Sequence, residues 1–165
     1  DLNGDGQINS SDLYRYHSRT PNWIFGFSTS FRYKKWTAST SLRANVGNYL
    51  YNGMAMNTGA FGTVSYNVAQ LNNMSSSYLK TGFQSRQFLS DYYVENASFI
   101  KMDNLSLSYD FGNITKWCKL HASAMVQNVF TITKYTGVDP EVASGIDMSF
   151  YPRPRTFSMS LGLDF

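Results

Sequence analysis

The sequence predicts an all-β protein made of antiparallel strands that cross a membrane. Three observations carry that prediction. Five segments alternate apolar and polar residues, and the best of them reach the roughly 9–11 residues of a tilted membrane-crossing strand. Aromatic residues make up 16% of the 165 residues and charged residues only 15%, where soluble domains carry about 25% charged residues. Mean hydropathy is slightly negative, and no run of about 18 apolar residues exists, so the apolar character is spread through alternation and not gathered in a helix.

The chain opens on Asp1-x-Asn3-x-Asp5-Gly6-x-Ile8-x-x-x-Asp12, the spacing of an EF-hand-type calcium loop. Asp1, Asn3 and Asp5 would offer side-chain oxygens, Gln7 a backbone carbonyl, Asn9 a bridging water and Asp12 the closing carboxylate. Gly6 permits the sharp turn. An Asp at the last position is shorter than the usual Glu, and the competing reading is an acidic turn without metal. A dockerin-like module would need a second such loop and a following helix, but Leu13–Arg19 is cut short before Pro21.

Five strands are expected next. In Trp23–Tyr33 the odd positions are Trp23, Phe25, Phe27, Thr29, Phe31 and Tyr33. In the segment from Trp36 the apolar register is Trp36, Ala38, Thr40, Leu42, Ala44 and Val46. Leu105, Leu107, Tyr109 and Phe111 form the third. Cys118, Leu120, Ala122, Ala124, Val126 and Phe130 form the fourth. The fifth is Phe157, Met159, Leu161, Leu163 and Phe165. None of these registers holds a formal charge. Arg32, Arg43, Asp110, Lys119 and Asp164 all fall on the polar registers, as a face in lipid requires, because Arg or Lys there costs about 2–4 kcal/mol near the midplane. Trp23, Tyr33, Trp36, Tyr109, Phe111, Phe130 and Phe165 gather toward strand ends, where interfacial aromatics belong.

The connections are unequal. Lys34 and Lys35 alone separate the first two strands, and six residues are expected between Phe111 and Cys118. The stretches 47–98 and 131–154 are long. Short turns at one end and long loops at the other match the asymmetry of outer-membrane barrels. Five strands cannot close a barrel, and an open sheet leaves unpaired edges in lipid, so the chain is expected to be one piece of a larger barrel.

Other chemistries find little support. The net charge of +3 is scattered, without a basic stripe for nucleic acid. Cys118 is the single cysteine, which precludes an internal disulfide. His17 and His121 lack metal-ligand spacing, and no nucleophile elbow, zinc-protease motif or phosphate loop occurs. Asp91 and Glu95 read as solvated loop charges, not as a glycosidase pair. An enzyme is not expected. Tyr49, Tyr51, Tyr66, Tyr78, Tyr92 and Tyr93 crowd the first long loop. They would either contact sugar rings or a protein partner, or pack on one another.

Several stretches together carry a resemblance: Asp1–Ile8, Pro21–Phe27, Tyr92–Tyr109, Asn128–Glu141 and Tyr151–Phe157. In that order they resemble the carboxyl-terminal end of SusC/RagA-type TonB-dependent transporters of Bacteroidetes outer membranes. The resemblance implies the last five strands of a 22-stranded barrel. Residues 1–21 would be an extracellular loop, 22–165 would be barrel, and the plug would lie upstream. It implies Phe165 as a terminal assembly signal and a periplasmic terminus. It further implies glycan or peptide import driven through TonB with a SusD-like surface lipoprotein, in the outer-membrane lipid. The alternatives are a passive porin, an adhesin-like barrel, or a soluble calcium-binding carbohydrate-binding β-sandwich.

Overall fold

The structure, a computed structural model, describes residues 2–7, 9–63, 74–149 and 151–165. Its main element is a five-stranded antiparallel sheet. The strands are β1 (Trp23–Tyr33), β2 (Trp36–Val46), β5 (Phe99–Thr115), β6 (Cys118–Thr133) and β8 (Thr156–Asp164), in the spatial order β1-β2-β5-β6-β8. Three short strands, β3 (Tyr49–Asn52), β4 (Val94–Asn96) and β7 (Ile146–Asp147), form a second sheet in the order β4-β3-β7. These come from the two long connections, which here build a cap at one end of the large sheet. Two short helices, α1 (Gly53–Thr58) and α2 (Tyr78–Thr81), complete it.

The expected alternation holds across the wall. Phe25 opposes Ala44, Phe27 opposes Leu42 and Phe31 opposes Ala38, while Leu107 pairs with both Ala38 and Ala124, and Ala124 with Met159. One face is therefore continuously apolar. The other carries Ser30 against Ser39, Ser41 against Asn104 and Ser123 against Ser160, each pair hydrogen-bonded. Among the described residues no helix is long and apolar enough to cross a membrane.

Two boundaries differ from expectation. β5 begins at Phe99 and continues to Thr115, so its connection to β6 is the two-residue turn Lys116–Trp117, not six residues. Bulges explain the difference. Gly112, at φ 78, follows the extra residue Phe111 where the β5–β6 register shifts. Such an insertion hides alternation from a period-two reading while the strand continues. A second bulge lies at Asp103, and Asn128 opposite it adopts φ 52. Alternation carried back from Leu105 would put Asp103 and Lys101 on the apolar face. The bulge instead pairs Lys101 with Arg43, on the polar face, and returns Met102 and Ile100 to Leu42 and Ala44.

The buried apolar cluster sits in the cap, not in the wall. Leu50, Ala97 and Tyr135 form it, with Val142 packed against it. The wall side chains are open on their apolar face: Met159 is 90% exposed and Leu161 77%. A sheet that exposes such a face in water would be unstable, so an apolar solvent or partner must cover it.

Candidate functional site

The cap is organised around buried polar groups. Asp147, fully buried in β7, accepts hydrogen bonds at Oδ2 from the Tyr135 hydroxyl (3.0 Å), Val138 N–H (3.0 Å) and Asp139 N–H (3.2 Å), and at Oδ1 from Ser149 N–H (2.9 Å). Burial pushes its pKa up, but the Ser149 and Asp139 amides and the Tyr135 hydroxyl outweigh that and hold it below the usual carboxylate range. Burial first, and then the Asp147 charge, push the Tyr135 phenol well above its ordinary value. Irregular backbone near residues 135–149 thus obtains its acceptors from one carboxylate.

Glu95 does the same for a neighbouring segment. It accepts from Thr136 N–H (2.8 Å), the Thr136 hydroxyl (2.7 Å) and Asn52 Nδ2 (2.9 Å). It is therefore not the solvated loop charge expected from sequence. The partners that desolvate it come from β3 and from the second long connection, both distant in sequence. Asp91 remains exposed and accepts from the Tyr14 hydroxyl at 2.8 Å.

A charged cluster fastens cap to wall. Lys101 (3% exposed) places Nζ 2.6 Å from Glu141 Oε2 and 4.0 Å from Asp103 Oδ1. Arg43 makes two hydrogen bonds to Asp103, at 2.7 and 3.0 Å, and also an ion pair with Glu141. Arg153 adds a contact to Asp139 at 2.9 Å. Arg43 belongs to β2, Lys101 and Asp103 to β5, and Glu141 to the connection between β6 and β8. Sequence reading placed Arg43 correctly on the polar face but had no signal for the other three, because the bulge hides the register of Lys101 and Asp103.

The tyrosines fall into different environments. Tyr93 is buried, and Tyr51 is half-buried with its ring edge-on to Tyr93 at 6.1 Å. Burial pushes both phenols up. Tyr49 stacks on His17 at 3.7 Å, and Tyr78 lies 6.0 Å from Phe61. Tyr66 lies outside the described residues. Tyr92 is exposed and packs edge-on against Tyr93 at 5.1 Å. Tyr92 and Tyr93 border an open cavity of about 570 Å³ that also includes Asn52, Lys80, Glu95 and Thr136. Its mixture of ring faces and hydrogen-bonding groups suits a polar ligand with some apolar surface.

In the amino-terminal loop, Asp1 lies outside the described residues, while Asn3, Asp5 and Gln7 are exposed and Asp12 is half-buried. Gly6 adopts φ 79, the left-handed turn expected of it. Asp12 Oδ1 accepts from Leu2 N–H at 2.8 Å and Oδ2 from Asn9 N–H at 2.8 Å. Asp5 accepts from Gln7 N–H at 2.7 Å. Bonds from Gln7 and Asn3 hold the Asp5 carboxyl below the usual range, and bonds from Asn9 and Leu2 do so for Asp12. Both carboxylates are thus ionised oxygen donors on a closed loop, a donor type that suits calcium. No group of three His, Cys, Asp or Glu close enough to hold a metal occurs among the described residues. Phe165, just beyond β8, is 95% exposed.

A five-stranded wall with one apolar and one hydroxyl-lined face, short turns at one end and a cap at the other, defines a membrane β-barrel segment. Comparison with known proteins agrees. Over its full length the chain is 37% identical to the TonB-dependent receptor SusC of Bacteroides thetaiotaomicron, covering 17% of that protein. It is 27% identical to the TonB-dependent receptor P3 of Formosa agariphila, covering 18% of it. Among solved structures, the RagAB peptide transporter matches with a TM-score of 0.77 at 24% identity, over 98% of this chain and 20% of that one. No family model matches. The chain is a segment of a SusC/RagA-type TonB-dependent receptor, a β-barrel protein of the outer membrane, and it spans less than a fifth of the curated relatives it matches.

Proposed function

We propose that the protein containing this segment imports glycan or peptide fragments through TonB, with a SusD-like surface lipoprotein as its partner. The identity to SusC along the entire segment carries this reading. Another structural relative, described as the RagAB peptide importer in its 'closed-closed' state, supports import as the direction. In this reading the apolar face meets lipid, the hydroxyl-lined face borders the translocation path, and the cap lies outside the cell. The segment supplies no covalent chemistry. Residues 1–21 form an external loop and 22–165 contribute the last five strands of a 22-stranded wall.

Uptake of labelled oligosaccharide or peptide by cells carrying the full-length receptor tests the reading. Uptake should vanish when TonB is deleted or the proton gradient is collapsed, and a surface lipoprotein should co-purify with the receptor. Flux that persists without TonB would replace this proposal with a passive porin. Within the receptor, Tyr92→Ala should weaken ligand capture by about 1–2 kcal/mol, the loss of one exposed aromatic contact, and should leave barrel stability unchanged.

Calcium is proposed to pin the amino-terminal loop through Asp1, Asn3, Asp5, Gln7 and Asp12. Terbium luminescence of the full-length receptor, displaced by calcium and lost in Asp5→Asn, is the expected result. Equal luminescence from the variant would remove the site.

A further inference from the structure

A second cavity, of about 330 Å³, opens where the cap meets the wall. Its lining comes from three stretches of the chain, 19–21, 45–50 and 140–143. Asn45 places it on the polar side of the wall, in the register of Arg43.

One buried polar group in this lining has no partner. Asn48 is 4% exposed, yet its Oδ1 accepts no hydrogen bond. Its Nδ2 reaches the Pro140 carbonyl at 3.5 Å. That carbonyl can only accept, so exchanging the amide oxygen and nitrogen would set two acceptors against each other. The backbone also keeps Asn48 from turning out to water. Its carbonyl accepts from Ala97 N–H at 2.8 Å, Gly47 N–H donates to Ser98 Oγ at 2.9 Å, and Tyr49 N–H donates to the Ser18 carbonyl at 3.0 Å. Native structures seldom leave a buried acceptor without a donor, and this one borders a space at the lower end of the size range of ligand sites.

The groups left open in the lining are neutral. Besides Asn48 Oδ1 they are the Asn45 amide and the Thr20 hydroxyl, whose side chains make no hydrogen bond among the described residues. The charged members are engaged. Glu141 is ion-paired with Lys101 and Arg43, and Arg19 donates to the Ala143 carbonyl at 2.8 Å. Pro21, Leu50 and Val142 add aliphatic surface.

A sugar hydroxyl donates and accepts at one oxygen, and a sugar ring carries several of them around a compact aliphatic body. A peptide would have to bring side chains and a continuing backbone into the same small space to offer one N–H. We propose that this cavity is a subsite for one neutral sugar residue, with a hydroxyl donating to Asn48 Oδ1 and its neighbours shared between Asn45 and Thr20. The inference rests on the import reading above, in which the polar face borders the translocation path, and it narrows the cargo to a neutral glycan.

Isothermal titration calorimetry of the full-length receptor would compare neutral hexasaccharides of glucose, galactose, mannose, xylose and fructose with a hexauronate and a mixed hexapeptide pool. A neutral hexasaccharide should bind best. Asn45→Ala and Thr20→Val should each weaken it by about two- to tenfold, the loss of one neutral hydrogen bond, at an unchanged unfolding temperature. Asn48→Leu, close in shape, should weaken it by a similar factor without lowering that temperature, because it removes an acceptor that nothing in the free protein satisfies. In the glycan-bound receptor structure a sugar oxygen should lie about 3 Å from Asn48 Oδ1. A donor from another part of the receptor at that atom, or water alone, would overturn the subsite. Glycan binding and TonB-dependent uptake that ignore all three substitutions would also overturn it and leave the import reading standing. Preference for the hexauronate or the peptides would overturn the neutral-sugar assignment. Uptake of neither glycan nor peptide would overturn both readings.

Discussion

The five-stranded wall and the cap solve the same problem, the satisfaction of backbone and side chains, by opposite means. In the wall, hydrogen bonds run strand to strand, and the apolar side chains point away from the protein. Burial there is supplied by the surroundings, so the wall needs no core of its own. The cap has little regular backbone and draws its order inward. Leu50, Ala97 and Tyr135 pack together, and the carboxylates of Asp147 and Glu95 accept backbone N–H groups that no strand reaches. Lipid exposure therefore demands regularity, whereas a loop that can bury a carboxylate is free of that demand. The ion-pair cluster of Lys101, Arg43, Asp103 and Glu141 is where the two regions meet.

Breaking that junction should have the largest effect. Glu141→Ala leaves Lys101 nearly buried, with Asp103 at 4.0 Å as its closest remaining anion. The expected cost is about 3–5 kcal/mol, the usual result of removing one partner of a buried pair. Hydrogen exchange should show it as lost protection in the connection between β6 and β8, with the β1–β2 amides unchanged. A uniform loss over the wall would mean that cap and wall are one cooperative unit.

Next in size is a contrast between adjacent residues. Leu161→Arg on the apolar face should destabilise the barrel by about 2–4 kcal/mol if it lies near the midplane. Ser160→Arg, one residue away on the opposite face, should cost far less. Urea titration of the full-length receptor refolded into bilayers measures both, and equal costs would contradict a lipid-facing Leu161.

The smallest effect is a pH dependence confined to the cap. Because the Asp147 pKa is depressed in the folded state, its contribution is present above the unfolded value of about 3.9 and is lost as pH falls through the lower native value. Amide protection at Val138 and Asp139, corrected for intrinsic exchange, should stay level from neutral pH down to about 5 and drop below about 4. Asp147→Asn should lower that protection at neutral pH and remove the acid-dependent step. Persistence of the step in the variant would assign it to another carboxylate.

Much of the wall was legible in the sequence because a two-faced strand in lipid has a strict grammar. Phe25, Phe27, Phe31 and Phe157, Met159, Leu161 announce their face by period two, and Arg32 and Arg43 obey it. Legibility failed at the bulges. Phe111 and Gly112 hid the last turn of β5, and Asp103 hid the correct side for Lys101. In the candidate site the tyrosines could be found by composition. Whether each ring would be buried, as Tyr93 is, or exposed, as Tyr92 is, depends on which distant segment lands on it.

By itself, then, the sequence determined which side of each ribbon is apolar and roughly where the strands turn, since pleat and solvent fix a local period. Tertiary structure alone decided that Lys101 faces Glu141, that Asp147 becomes the acceptor for Tyr135, Val138 and Asp139, and that Glu95 binds Thr136. Those partners lie in connections with no period, and only the closing of one loop upon another brings a buried charge its counter-groups.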